Sequence, residues 1–192
     1  LESMTRLAFV VIAIENKAQF NQTRAGKDFD TALLDAISSK EGARDLAAAM
    51  MGKTRMIELM NEKARSLGCT SSNFANPSGL NNPEHYTSAH DMALIARAAF
   101  DNPELLTIAT TRYYELPPNG KNPEGLGVSP GHRMLKEREA VYRPDVISGK
   151  TGYTSLAGNT LVTYAAQGDF ELVTVILNGH NTHYSDTDKL LT

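Results

Sequence analysis

An α+β domain, with an antiparallel sheet flanked by helices, is the fold class this sequence predicts. Two observations predict it. Helical spacing with capping residues fills the first half of the chain, whereas β-branched runs joined by a tight turn crowd the last third. The length of 192 residues, with 41% hydrophobic and 21% charged residues, suits one domain with a sizeable core.

Residues 3–16 open the pattern as a buried helix. Leu7, Val10, Val11 and Ile14 fall at helical spacing, Ser3 or Thr5 can cap it, and the β-branched content keeps a strand as the alternative. Residues 21–27 are polar with one glycine and predict a loop. Helices are expected over 29–37 and 43–51. A stronger amphipathic helix follows over 54–67, with Met56, Ile57, Met60, Ala64 and Leu67 on one face and Gly68 as its stop. Asn76-Pro77, Ser78-Gly79 and Asn82-Pro83 make 69–86 a long structured loop. Thr87 or Ser88 caps the next helix, which runs to Phe100 with Asp91 near its positive end, and Pro103 starts a short one to Ala109.

From there the period changes. Residues 112–116 alternate like an edge strand and stop at Pro117-Pro118, and 119–130, rich in Gly and Pro, predict a loop. Strands are expected over 146–150, 160–166 and 171–177, the last two joined by Gln167-Gly168-Asp169. Ser185 is expected to cap a terminal helix.

Composition excludes several classes. The net charge is −3, so there is no basic excess for nucleic acid and no cluster for an anionic membrane surface. The longest apolar run, residues 7–14, falls far short of the roughly 20 residues that span a bilayer. No signal peptide is visible; the chain starts at Leu1, and the start is expected to be cut from something longer. Cys69 is the only cysteine, which excludes an internal disulfide and fits a small buried apolar side chain.

The chemistry centres on Lys150-Thr151-Gly152. On an edge strand, Lys and Thr can point into a cleft while Gly lets a substrate backbone approach, and a cation beside a hydroxyl suits a terminal carboxylate. The tripeptide alone equally fits a strand end with a solvated lysine. Its context, Val146-Ile147-Ser148-Gly149-Lys150-Thr151-Gly152-Tyr153-Thr154 running on to Val162, resembles the third motif of the serine D-Ala-D-Ala carboxypeptidases, the low-molecular-mass penicillin-binding proteins. Leu59-Met60-Asn61-Glu62-Lys63-Ala64, Phe74-Ala75-Asn76-Pro77-Ser78-Gly79-Leu80 and Tyr86-Thr87-Ser88-Ala89-His90-Asp91 are similar to the same family. The resemblance covers, with gaps, most of residues 54–178.

That resemblance implies a penicillin-binding protein/serine β-lactamase-like fold lacking its N-terminal strands, one partial catalytic domain over 1–192, and a sheet edge left without neighbours. It places the nucleophile at Ser3, in Ser3-Met4-Thr5-Arg6, with Arg6 where the family has a lysine base. It places the Ser-x-Asn motif at Ser38-Ser39-Lys40, with Lys40 in the asparagine position and Ser38 as a proton relay; a serine pair capping a helix is the alternative. Ser3 and Ser38 are also closer in sequence than is usual for the family. Lys150 is expected to act in catalysis and, with Thr151, to hold the substrate's terminal carboxylate. Gly152 and Tyr153 are expected to bind substrate, the N–H groups of Ser3 and Tyr153 forming the oxyanion hole.

The implied partners are a peptidoglycan stem peptide ending in D-Ala-D-Ala and β-lactams as covalent inhibitors, with no nucleic acid. No metal or organic cofactor is implied. The implied location is the extracytoplasmic cell envelope, with no membrane anchor inside this chain. A catalytically impaired binding or regulatory homologue is the second expectation, motivated by Arg6 and Lys40. A β-lactamase or esterase ranks last for want of an obvious deacylating glutamate. His180 and His183, three apart, lack the third ligand of a usual metal site. His90 and His132 are expected in surface or structural roles, and Tyr113, Tyr114 and Phe170 in packing.

Overall fold

The computed structural model describes residues 2–118, 120 and 122–192. A 3-10 turn, Glu2–Met4, leads into helix α1 (Thr5–Glu15), the most buried helix of the molecule. Leu7, Phe9, Val10, Val11 and Ile12 are all enclosed, which a helix tolerates only at the centre of a core. The expected cap is not there. Met4 stands at the N-cap with no side-chain bond, because the Thr5 hydroxyl is taken by His85.

Short α2 (Gln22–Ala25) precedes α3 (Phe29–Ser38), capped by Asp28, and α4 (Lys40–Ala48). α4 begins three residues earlier than its apolar pattern implies. The Ser39 hydroxyl accepts from the Gly42 N–H and lets the helix start at Lys40. α5 (Lys53–Ser66) buries Met56, Met60 and Ala64 as the spacing predicts. The loop that follows is tied at both ends. Asn61 holds Phe74 through reciprocal bonds of 2.9 and 2.8 Å, and Asn73 pairs with Tyr86 in an isolated antiparallel bridge.

Ser88 caps α6 (Ala89–Phe100), and Asn102 with Pro103 starts α7 (Pro103–Ala109). Within α6, burial pushes the Asp91 carboxyl up, but donors from Ser72, Ser71 and Thr70 outweigh it and leave the group below its usual range. Cys69 is buried as expected, its thiol pushed up to about 11 by burial and by Asp91.

The expected loop after Pro118 contains a strand. β1 (Tyr114–Leu116) pairs antiparallel with β2 (Leu126–Val128), and Tyr113 packs on Gly127, where a Cβ would sit 2.6 Å from the phenol oxygen. Glycine there looks like loop composition but makes room for the ring. Asn119 and Lys121, part of the same expectation, lie outside the described residues.

β3 (Val146–Thr154), β4 (Gly158–Gln167) and β5 (Phe170–Gly179) form an antiparallel meander in the order β3-β4-β5. β4 is the central strand. Among the described residues, β3 and β5 each leave one edge without a strand partner. Gly168, at a φ of 61°, makes the tight turn between Gln167 and Phe170. Phe170 is 72% exposed, against the packing role expected of it, while Tyr113, 60% exposed, packs on Gly127 at the surface.

α8 (His183–Leu191) closes the chain. Ser185 does not cap it; its hydroxyl donates back to the Thr182 carbonyl from inside the first turn. Arg143 binds Asp145 through two bonds of 3.0 and 2.8 Å and reaches Asp188 at 2.6 Å, fastening α8 beside the entry to β3. No helix among the described residues is long and apolar enough to cross a membrane.

Candidate active site

A cleft of about 260 Å³ lies between the helical half and the β3 edge. Leu7 of α1, Leu34, Ile37 and Ser38 of α3, Ile108 and Ala109 of α7, and Tyr114 line one side. Gly149, Lys150 and Thr151 of β3, with 128–132, line the other. The structure therefore brings Ser38, Lys150 and Thr151 together, although more than 100 residues separate the first from the other two.

The β3 wall is fixed residue by residue. Ser148 is fully buried and donates to the Ala109 carbonyl at 2.8 Å, while Arg112 donates to the Ile147 carbonyl at 3.1 Å. Gly149 is pressed between β4 and His132: a Cβ there would lie 2.3 Å from the Val162 carbonyl oxygen and 2.5 Å from His132 Cδ2. His132 is itself 1% exposed, with Nε2 2.7 Å from Thr163 Oγ1. Burial, then the charges of His183 and Arg112, pull its pKa down to about 3, so it is a neutral wedge rather than a titrating base. Lys150 Nζ folds along its own strand and donates to the Thr151 carbonyl at 2.8 Å. Gly131 crosses above Thr151, and a Cβ on it would come within 2.9 Å of Thr151 Oγ1.

The helical wall is built on α1. Its leading 3-10 turn, which contains Ser3, packs against β3, and Ser3 and Arg6 are each 5% exposed. Neither is among the residues lining the cleft, which meets α1 at Leu7. Behind this turn sits His85. Its Nδ1 accepts from the Ala75 N–H at 2.9 Å, so the ring proton is on Nε2 and is donated to Thr5 Oγ1 at 2.6 Å. Burial lowers its pKa to about 4, which keeps that tautomer through the neutral range. His85 thus locks the first turn of α1 to the 69–86 loop. No sequence spacing pointed to it, because its partners lie 80 and 10 residues away.

Ser38 ends α3 at the cleft, where its hydroxyl donates to the Leu34 carbonyl at 2.8 Å and touches the Tyr114 hydroxyl. The Tyr114 hydroxyl also lies 2.7 Å from Leu34 O, competing for the same carbonyl, so the packing role expected for it is accompanied by a polar one. Lys40 stands exposed at the first position of α4, outside the lining residues. Gly152 and Tyr153 continue β3 past the cleft, with Tyr153 64% exposed. His90 is a surface side chain and His132 a structural one, as expected.

Comparison with known proteins gives a consistent answer. Residues 25–181 match the family described as D-alanyl-D-alanine carboxypeptidase. D-alanyl-D-alanine carboxypeptidase DacB2 of Mycobacterium tuberculosis is 35% identical over 146 residues, 74% of this chain and 47% of that protein. DacF of Bacillus subtilis is 29% identical over 152 residues, 79% of this chain and 34% of that protein. The chain thus spans half or less of these two relatives. Among solved structures, a D-alanyl-D-alanine carboxypeptidase from M. tuberculosis superposes with a TM-score of 0.81 at 25% identity, covering 99% of this chain and 79% of the other. Penicillin-binding protein D2 of Listeria monocytogenes, solved with cefotaxime bound, shares the fold with a TM-score of 0.75 at 20% identity, over 100% of this chain and 85% of the other.

Proposed function

Since the chain belongs to the D-alanyl-D-alanine carboxypeptidase family, we propose that residues 1–192 act as a serine-type catalytic domain on peptidoglycan stem peptides ending in D-Ala-D-Ala. The observation that carries the reading is convergence. Ser38, Lys150 and Thr151 share one cleft, and the turn that bears Ser3 packs against the strand that bears Lys150.

In this reading the terminal carboxylate of the peptide is held by Lys150 and Thr151. The Ser3 hydroxyl attacks the penultimate carbonyl, forming the acyl-enzyme bond as the amide to the terminal D-Ala breaks. The Ser3 proton passes through the site to the departing amine, with Ser38 as the relay, and water then hydrolyses the ester to restore Ser3. The N–H groups of Ser3 and Tyr153 receive the negative charge on the carbonyl oxygen, and Gly152 lets the peptide backbone approach β3. A β-lactam acylates Ser3 in the same way. The site of action is the cell envelope, outside the cytoplasm.

A second reading is favoured by specific residues. Arg6 stands where the family has lysine, and a guanidinium does not give up its proton under ordinary conditions. Lys40 has three donors and no acceptor, so it cannot pair with both ends of an amide as asparagine does. With Ser3 only 5% exposed, these residues support a homologue that binds stem peptides or β-lactams and acylates slowly or not at all. Labelled penicillin separates the two. Covalent label at Ser3, abolished in Ser3→Ala, supports the enzyme; no adduct after prolonged incubation of correctly folded protein leaves only the binding reading.

A further inference from the structure

Three oxygens meet where α3 ends at the cleft. Leu34 O lies 2.8 Å from Ser38 Oγ and 2.7 Å from the Tyr114 hydroxyl, and the two hydroxyls touch each other. Helix geometry already directs the Ser38 N–H at that carbonyl, which leaves one lone pair for two hydroxyl protons. One hydroxyl therefore donates to Leu34 O and the other donates to its fellow hydroxyl. In both arrangements the Ser38 proton is committed to this cluster, and the lone pair left on Ser38 is what it offers to the cleft it lines.

Tyr114 is not a loosely tethered partner. It pairs with Val128 in the β1–β2 hairpin, and its phenol is half-buried. The chain leaving β2 then crosses above Thr151 at Gly131. One hairpin thus reaches the serine on one wall and comes down on the threonine of the other.

We propose that Tyr114 is a positioning residue for Ser38, holding its hydroxyl oxygen beside Leu34 O so that a lone pair faces the cleft, the side from which the relay takes up a proton. This rests on the reading of the cleft as an acyl-transfer site. It assigns the hairpin a part in setting the relay, through a residue from outside the Ser38-Ser39-Lys40 segment. Burial raises the phenol pKa, the Ser38 contact opposes that, and Asp35 adds to it, so Tyr114 stays a neutral hydroxyl across the neutral range.

The test is a double-substitution cycle with Tyr114→Phe and Ser38→Ala, read in two ways on the full chain. With labelled penicillin, Tyr114→Phe should slow the acylation step about tenfold and leave the preceding non-covalent binding within about twofold; in the Ser38→Ala background it should cost nothing further. Losses that multiply in the double variant, or a loss confined to binding, would overturn the proposal. If the unsubstituted protein takes no label, the enzymatic reading fails by itself, and denaturant unfolding of the same four proteins decides whether the pair is coupled. A departure from additivity of at least about threefold in the folding equilibrium constant upholds the Tyr114–Ser38 link, and strict additivity refutes it.

Discussion

The two walls of the cleft are built under different constraints. On the β3 wall, backbone and chemistry are bound together: Ser148 is bonded to Ala109, Gly149 has no room for a methyl group, and Lys150-Thr151-Gly152 keeps the family pattern. On the helical wall the packing is as strict, and the proposed departures from the family's chemistry fall here. α1 is buried nearly all round and His85 fixes its first turn, while Arg6 and Lys40, outside the cleft lining, stand on the proposed reading in the places of a lysine and an asparagine. Burial of α1 is satisfied by Leu7, Phe9, Val10 and Val11 whichever cation stands at position 6. On that reading, retention of a fold and retention of its reaction are separable on the helical wall and much less so on β3.

Arg6→Lys is the sharpest test of that difference. If chemistry alone has changed on the helical wall, restoring the lysine should raise the rate of Ser3 acylation by about 100- to 10,000-fold with little change in unfolding midpoint. A gain of less than about threefold would mean that the wall differs in geometry as well. Gly149→Ala probes the other wall. The added methyl meets the Val162 carbonyl and His132, neither the far end of a flexible chain, and should cost about 3 kcal/mol in denaturant unfolding. A loss below about 0.5 kcal/mol would show that β3 is free to shift.

The pH dependence samples both walls together. His85, behind the helical wall, and His132, behind β3, have native pKa values of about 4 and about 3, against 6.5 for the free side chain. Between those limits the unfolded chain binds more protons than the native one. The stabilisation is complete above pH 6.5 and is lost as pH falls through 4 and 3, at no more than about 1.4 kcal/mol per site per pH unit. His85→Gln and His132→Gln should each flatten that slope in unfolding measured from pH 7 to pH 4. An unchanged slope in either variant would mean that its histidine protonates in the native state as it does in the unfolded one.

Much of this architecture could be read before any coordinates. α5 and α6 declare themselves through apolar spacing, Gly68 and the Ser88 cap, and β3, β4 and β5 through β-branched runs and the Gly168 turn. Those are signals carried within a few residues of one another. What escaped is non-local. β2 exists because it pairs with β1 across a Gly- and Pro-rich stretch, and Tyr114 matters because it meets Ser38, 76 positions earlier. His85 depends on a threonine 80 positions away. The start of α4 lies ahead of its apolar pattern for a smaller reason: Ser39, the middle residue of Ser38-Ser39-Lys40, caps the helix.

The contact between the Ser3 turn and β3 has a consequence for how the molecule comes together. The β3-β4-β5 meander closes through short connections, so its strands can pair early. The turn at Glu2–Met4 must find a strand roughly 140 residues further along, the kind of long-range closure that is slow and entropically costly. Docking of that turn on β3 is therefore expected late in folding, whereas the Ser148–Ala109 bond joins the two walls across only 39 positions.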